Sequence, residues 1–248
     1  MMPTVVLNTP SVKIKARPAV QEGSSEMAEI RKMFRQINQL YIAHHPSAGY
    51  LAAKRGMDLI FSVVLLLLTG WIFPIVALLV KLSSKGPVFF VQPRTGLHGK
   101  TFHCLKFRTM RVNDEAHTKQ ATANDSRVTP IGRFLRASHL DELPQLLNIF
   151  LGDMSLIGPR PHMLYHTRYY ADQIPFYHLR HEATPGMTGM AQINGFIGEI
   201  TNERELRKRI QWDIYYLKHR SIGLDLYILF QTFLSVLARF VPAGQKAA

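Results

Sequence analysis

Leu59-Ile-Phe-Ser-Val-Val-Leu-Leu-Leu-Leu-Thr-Gly-Trp-Ile-Phe-Pro-Ile-Val-Ala-Leu-Leu-Val80 runs for 22 positions without a charge. As a straight helix at about 1.5 Å per residue it would reach about 33 Å, just enough to cross a hydrocarbon core of about 30 Å. Two features argue against a simple crossing. Pro74 lies inside the run, where it removes a backbone hydrogen bond and clashes with the preceding turn, and Gly70 adds to that weakness. A bend near Pro74 is expected. Lys54 and Arg55 precede the run and Lys81 and Lys85 follow it, whereas a crossing helix carries its excess of Lys and Arg on the cytoplasmic side only. Both ends read as cytoplasmic, so the segment is expected to enter one leaflet, bend and return. A single-pass anchor is the competing reading.

Working outward, residues 1 to about 25 are rich in Pro, Val, Thr and Ser and read as a mobile tail. From Glu26 to about Ala43, Ile30, Phe34, Ile37 and Leu40 recur at helical spacing, which predicts an amphipathic helix. The opening residues lack the pattern of a secretory signal peptide, so the catalytic part is expected in the cytoplasm. Downstream of the apolar run, Val88–Gln92 and Thr101–Phe107 are β-like runs separated by the turn residues Gly96 to Gly99, which predicts a hairpin. From about Thr129 the pattern is mainly helical, and Gly223 to Val241 forms a strongly apolar helix suited to lying in a membrane interface. The fold class expected is α+β and helix-rich. It divides into an N-terminal extension (1–45), a re-entrant membrane hairpin (46–85) and a cytosolic catalytic domain (86–248).

With 30 Lys and Arg against 17 Asp and Glu, the chain carries a formal charge of +13. Such a surface attracts nucleic acid, anionic headgroups or phosphorylated substrates. No aromatic-basic interleaving or reading helix points to nucleic acid. The single cysteine, Cys104, cannot form an internal disulfide and reads as a small strand residue.

The chemistry concentrates in Arg136-Ala-Ser-His-Leu-Asp141-Glu142-Leu-Pro-Gln145 and Gly158-Pro-Arg160-Pro161. Adjacent carboxylates diverge by roughly 100° on a helix, so they cannot face each other across a sugar. They can share one metal and one phosphorus. A carboxylate can also be the nucleophile of phosphoryl chemistry while its neighbour helps hold Mg²⁺. Arg136 precedes the pair by five residues and Arg160 stands between two prolines; guanidinium groups clamp phosphate oxygens and stabilise charge developing there. A diphosphate substrate explains the combination. His162 and His166 stand at i, i+4 but without an HExxH pattern, which argues against zinc and for packing or sugar-side hydrogen bonds.

The motifs Lys54-Arg55-Gly-Met-Asp58, Pro87-Val-Phe-Phe, Gln92-Pro-Arg94-Thr-Gly96, Lys106-Phe-Arg108-Thr-Met110, Leu140-Asp141-Glu142-Leu-Pro-Gln145, Gly152-Asp-Met-Ser155, Gly158-Pro-Arg160-Pro161, Pro185-Gly-Met-Thr-Gly189, Ala191-Gln192-Ile-Asn194-Gly195 and Asp213-Ile-Tyr-Tyr216 occur in this order over about residues 50 to 240. In them the chain resembles the bacterial sugar transferases, the monotopic polyprenyl-phosphate phosphoglycosyl transferases. It differs from the usual pattern at Phe73 (commonly Ser), His139 (Ser), Met190 (Trp) and Ile197 (Arg).

The resemblance implies an enzyme of the bacterial inner membrane with its catalytic face in the cytoplasm. It implies transfer of a hexose-1-phosphate from a UDP-sugar to undecaprenyl phosphate with release of UMP, the first step of exopolysaccharide or other surface-glycan assembly. In that picture Asp141 is the nucleophile, and Glu142 is catalytic as ligand of Mg²⁺, with Mn²⁺ as a substitute. Arg94, Lys106, Arg108, Arg136, Arg160, Gln192 and Asn194 bind substrate, and Pro74, Lys54, Arg55 and Asp58 belong to the membrane hairpin. The glucose-1-phosphate branch matches best at Pro161-His162 and Leu179-Arg180-His181. Galactose and N-acetylated sugars remain alternatives, as do a glycosyltransferase releasing UDP and a basic, membrane-anchored binding protein without catalysis. The partners implied are the UDP-sugar, undecaprenyl phosphate and a phospholipid membrane, with no nucleic acid; a homo-oligomer is left open.

Overall fold

A computed structural model describes residues 46–122 and 125–240. The tail and amphipathic helix expected before residue 45 lie outside the described residues.

Helix α1 (Ala48–Thr69) begins at Ser47, whose hydroxyl accepts from the Tyr50 amide at 3.1 Å, and α2 (Ile72–Ser83) follows at a bend of 65°. The bend sits at Gly70-Trp71, a turn before Pro74, rather than at the proline itself. The reason is steric. A proline lacks the N–H that would reach the carbonyl four residues back, and its ring clashes with that carbonyl, so the helix gives way at Gly70. Pro74 then becomes the third residue of α2, where its missing N–H leaves no bond broken. Among the described residues no single helix is long and apolar enough to cross a membrane; the bent pair passes that test only together. Val76 and Val80 of α2 return to the body, where they pack with Phe107 and Leu135, and Phe73 meets Phe107 edge to face at 5.2 Å.

Strands β1 (Phe89–Thr95) and β2 (Thr101–Phe107) form the expected hairpin, in register from Phe89 opposite Phe107 to Thr95 opposite Thr101. Phe102 and Cys104 point inward while Thr101 and His103 point out, which is the two-residue alternation of a half-buried strand. Helix α3 (Pro130–Ala137) is capped by Thr129, whose hydroxyl accepts from the Gly132 amide at 2.9 Å. Gly132 lets α3 press against the strand end: a Cβ there would stand 1.9 Å from the Thr109 carbonyl oxygen. That contact delivers Arg136 to Thr109. A 3₁₀ turn, Leu140–Glu142, leads into α4 (Gln145–Leu151), which Gly152 ends in the left-handed region.

Strand β3 (Ser155–Ile157) follows, then α5 (Leu164–Ala171), a 3₁₀ segment at Tyr177–Glu182, and β4 (Gly186–Thr188), which pairs parallel with β3. The expectation was a single β-hairpin, so this second sheet is an addition. The two strands cross so closely that a Cβ on Gly186 would stand 2.1 Å from the Gly158 nitrogen; glycine at both positions fixes the turn that carries Arg160. Short α6 (Met190–Ile193), α7 (Glu203–His219) and α8 (Ile222–Phe240) complete the chain.

The basic-acidic motif before the apolar run roots α1 in this body. Lys54 Nζ pairs with Asp225 of α8 at 3.1 Å, and both side chains are almost wholly buried. Arg55 donates to the Ile149 and Phe150 carbonyls near the C-terminal end of α4, at 2.7 Å each, where unpaired carbonyls favour a cation. Asp58 accepts from the Ser155 hydroxyl at 3.0 Å and from the Leu156 amide at 2.9 Å.

Candidate active site

The 3₁₀ turn after α3 presents Asp141 and Glu142 at buried positions, 7 % and 8 % exposed. Their surroundings differ. The Glu142 carboxylate accepts from Lys106 of β2 at 2.6 Å and from both terminal nitrogens of Arg160. Burial alone would raise its pKa, but the Arg160 and Lys106 charges outweigh that and hold it well below the usual carboxylate range. Asp141 accepts no side-chain hydrogen bond among the described residues. Burial pushes it up to about 6, and the neighbouring Glu142 charge works in the same direction, against the pull of Lys106, Arg136 and Arg160. Two adjacent carboxylates are thereby driven apart: one is locked into ion pairs, and the other is held ready to ionise near neutral pH.

The cations come from four elements. Lys106 is brought by β2, and Arg136 from the last turn of α3 is oriented by Nε donating to the Thr109 hydroxyl at 2.8 Å. Arg160 is carried by the proline-locked turn after β3, and its Nη1 also reaches the Met187 carbonyl of β4 at 3.4 Å. Arg94 of β1 braces that turn by donating to the Pro161 carbonyl at 2.8 Å, with Gln92 Oε1 taking its other nitrogens. Gln192 joins the group from α6 by donating to the same Met187 carbonyl at 3.2 Å, which leaves its buried Oε1 without a partner.

Two of the residues expected to bind substrate are engaged elsewhere. Arg108 donates to the Lys85 carbonyl at 2.8 Å, to the Ser84 carbonyl at 2.6 Å and to the Val80 carbonyl at 3.4 Å, so it fastens the end of α2 to the strand. Guanidinium donors satisfy helix-end carbonyls as well as they do phosphates, and the Lys-Phe-Arg motif alone could not choose between those acceptors. Asn194 is exposed and donates to the Met190 carbonyl at 2.8 Å, closing α6.

The sequence reading gave no role to three residues that hold the site: Thr109, Arg180 and Asp213. Arg180 and Asp213 stood in quoted motifs, but only the fold shows that they meet, in a buried pair at 2.8 Å.

As a donor set for a cation, the cluster offers hard carboxylate oxygens only. Among the described residues no group of three or more His, Cys, Asp or Glu side chains gathers to hold an ion by itself. Carboxylate oxygens of this kind suit a hard cation such as Mg²⁺ or Mn²⁺ rather than zinc.

Residues 49–239 match the family described as bacterial sugar transferase. The chain is 46 % identical over 201 residues to the UDP-glucose:undecaprenyl-phosphate glucose-1-phosphate transferase of Xanthomonas campestris pv. campestris, covering 80 % of this chain and 40 % of that protein. It is 43 % identical over 194 residues to an exopolysaccharide production protein of Rhizobium leguminosarum bv. phaseoli, covering 76 % and 97 %. It is 41 % identical over 196 residues to the UDP-N-acetylgalactosamine-undecaprenyl-phosphate N-acetylgalactosaminephosphotransferase of Aeromonas hydrophila, covering 79 % and 46 %. The chain thus spans about two fifths of the length of the Xanthomonas relative. The shared stretch holds the bent helix pair, both sheets and every residue of the carboxylate cluster, and the chain belongs to the bacterial sugar transferase family.

Proposed function

We propose that the protein transfers a hexose-1-phosphate, with glucose as the sugar, from a UDP-sugar to undecaprenyl phosphate and releases UMP. The observation that carries this reading is the divided carboxylate pair: Asp141 pushed up to about 6 beside a Glu142 locked by Lys106 and Arg160. A base poised to ionise near neutrality within a cationic pocket suits attack on a phosphorus that bears negative oxygens. The names of the Xanthomonas and Rhizobium relatives favour glucose and exopolysaccharide assembly; the Aeromonas relative keeps an N-acetylated sugar as the second reading.

In the first step an Asp141 oxygen attacks the sugar-bearing phosphorus, a new P–O bond forms and the diphosphate P–O bond breaks, so UMP leaves with its electron pair. Arg160, Lys106 and Arg136 balance the charge on the phosphoryl oxygens. In the second step the phosphate of undecaprenyl phosphate displaces Asp141 and takes the phosphosugar. Glu142 would hold Mg²⁺, which would supply charge neutralisation on the diphosphate.

The bent helix pair supports a re-entrant seat in one leaflet of the inner membrane: Leu67, Leu68, Trp71, Leu78 and Leu82 are all more than half exposed. Burial in lipid would remove that apolar surface from water. Flanking charges on both sides suit a return to the cytoplasmic face.

The test is to incubate the purified protein with UDP-glucose, undecaprenyl phosphate and Mg²⁺, and to identify the nucleotide released, with UDP-galactose and UDP-N-acetylgalactosamine in parallel. UMP with UDP-glucose is expected. UDP as the product, or turnover confined to another sugar, would replace the corresponding part of the reading.

A further inference from the structure

The Asp213-Ile-Tyr-Tyr216 motif stands outside the carboxylate cluster, yet α7 directs it at the strand and turn that carry Arg160. Asp213 and Tyr216 are three residues apart and share one face of the helix. Tyr216 donates to the Ile157 carbonyl at 3.4 Å and to Asp225 at 2.8 Å. Asp213 acts at the other end of the segment, through Arg180. Arg180 Nε donates to Asp213 Oδ2 at 2.9 Å, Nη2 to the same oxygen at 2.8 Å, and Nη2 also to the Arg160 carbonyl at 2.6 Å. Arg180 and Asp213 are each 2 % exposed.

A buried ion pair contributes little net stability against an apolar pair of equal volume, because desolvation offsets the attraction. What this pair adds is direction. The guanidinium fork is planar and rigid, so fixing Nε and one hydrogen of Nη2 on one carboxylate oxygen fixes where the second hydrogen of Nη2 points. That donor meets the carbonyl of the one turn residue whose side chain grips Glu142. The turn is also constrained by Pro159 and Pro161, by the Gly158–Gly186 crossing and by Arg94 on the Pro161 carbonyl, and the Arg180 bond adds a hold on the Arg160 carbonyl itself.

We propose that Asp213 and Arg180 are positioning residues for the transfer reaction, acting on it through the backbone carbonyl of Arg160. The inference rests on the phosphotransfer reading above. Displacement of a charged group by about 1 Å at a reacting phosphate costs on the order of a hundredfold in rate. Asp213 and Arg180 therefore affect the chemical step without touching the substrate.

The experiment is a set of double-variant cycles on UMP release, with each variant checked by its melting transition. Asp213→Asn and Arg180→Lys are each expected to lower kcat 10- to 100-fold while KM for the UDP-sugar stays within about threefold. In an Arg160→Lys background neither change should cost more than twofold, since the group they position is already altered; where steady-state turnover is too slow, the single-turnover rate of UMP release gives the same cycle. Arg180→Lys carries the cycle if Asp213→Asn melts below the assay temperature. Wild-type kcat in both single variants, or losses that multiply in the Arg160→Lys background, would overturn the proposal. A wild-type enzyme that released UDP would instead overturn the phosphotransfer reading, and the cycle would then be read on UDP.

Discussion

Lys106 and Arg160 approach the same carboxylate oxygen, Oε1 of Glu142, from two different strands' ends, one on β2 and the other just past β3. The acid next to it, Asp141, is left with charges nearby but no side-chain hydrogen bond to any of the described residues. This inequality between neighbours separates their roles, and most of the expected behaviour of the site follows from it.

Asp141→Asn keeps the volume and removes the attacking oxygen's charge. UMP release should fall at least 10³-fold while UDP-sugar binding persists through Lys106, Arg136 and Arg160. In the wild type without lipid acceptor, UMP should form at no more than one equivalent per site, and the phosphosugar mass should be found on the peptide containing Asp141. An adduct on another residue would remove Asp141 from this role.

The pH dependence has a defined sign. Attack requires ionised Asp141, so the single-turnover rate should fall as pH drops through about 6. Stability should move the other way. Between the ordinary aspartate value near 4 and about 6, the folded chain holds a proton that the unfolded chain has lost, so stability decreases as pH rises through that window. Asp141→Asn should therefore be more stable than the wild type at pH 8, by on the order of 1–3 kcal/mol, and melt at a higher temperature. Equal melting of the two proteins at pH 8 would show that the carboxylate is not strained by burial.

Glu142→Gln leaves the half-buried Lys106 and Arg160 beside a neutral amide. Losing one member of a buried ion network costs about 2–4 kcal/mol, so the melting transition should drop even without substrate. Chelation with EDTA should abolish wild-type turnover and Mg²⁺ or Mn²⁺ should restore it. Turnover that persists in chelator would dismiss a metal role for Glu142.

The seat of the helix pair can be read by labelling. Cys104 is buried, so it gives little background. Ala48→Cys and Lys85→Cys place thiols at exposed positions on either side of the bent pair. In right-side-out cells, an impermeant maleimide should leave both unlabelled until the membrane is opened. Labelling of only one of them in intact cells would establish a crossing.

The local chemistry of this fold was legible in the sequence, and the long-range pairing was not. Alternation at Thr101–Phe107 and the turn residues at 96–99 fixed the hairpin because both signals lie within a few residues of each other. The break in the apolar run was legible too, but proline acts on the carbonyl four residues earlier, so the bend fell at Gly70-Trp71. Asp141, Glu142, Arg136 and Arg160 announced themselves by residue type. Strands β3 and β4 did not: each has three residues, too few for a period, and they pair across 31 positions of chain. Arg108 and Asn194 are expected at the substrate from their motifs, and in the structure their donors meet the carbonyls of Val80, Ser84 and Lys85 and of Met190. Arg180 and Asp213 were visible as residues, but nothing local told them that they would meet.

Lys54 and Asp225 also constrain how the chain comes off the ribosome. The two are 171 positions apart, and Asp58 waits 98 positions for the Leu156 amide. The bent apolar pair is therefore synthesised long before its anchoring partners, Asp225 and the Leu156 amide, are translated. Until α8 is made, Lys54 has Asp58, four residues along the same helix, as its charged neighbour but lacks its buried partner Asp225. Docking of the last helix then closes the Lys54–Asp225 and Tyr216–Asp225 contacts together. A chain halted before residue 225 would therefore lack the buried acid that α1 and α7 share, since Tyr50, Lys54 and Tyr216 all bond to Asp225.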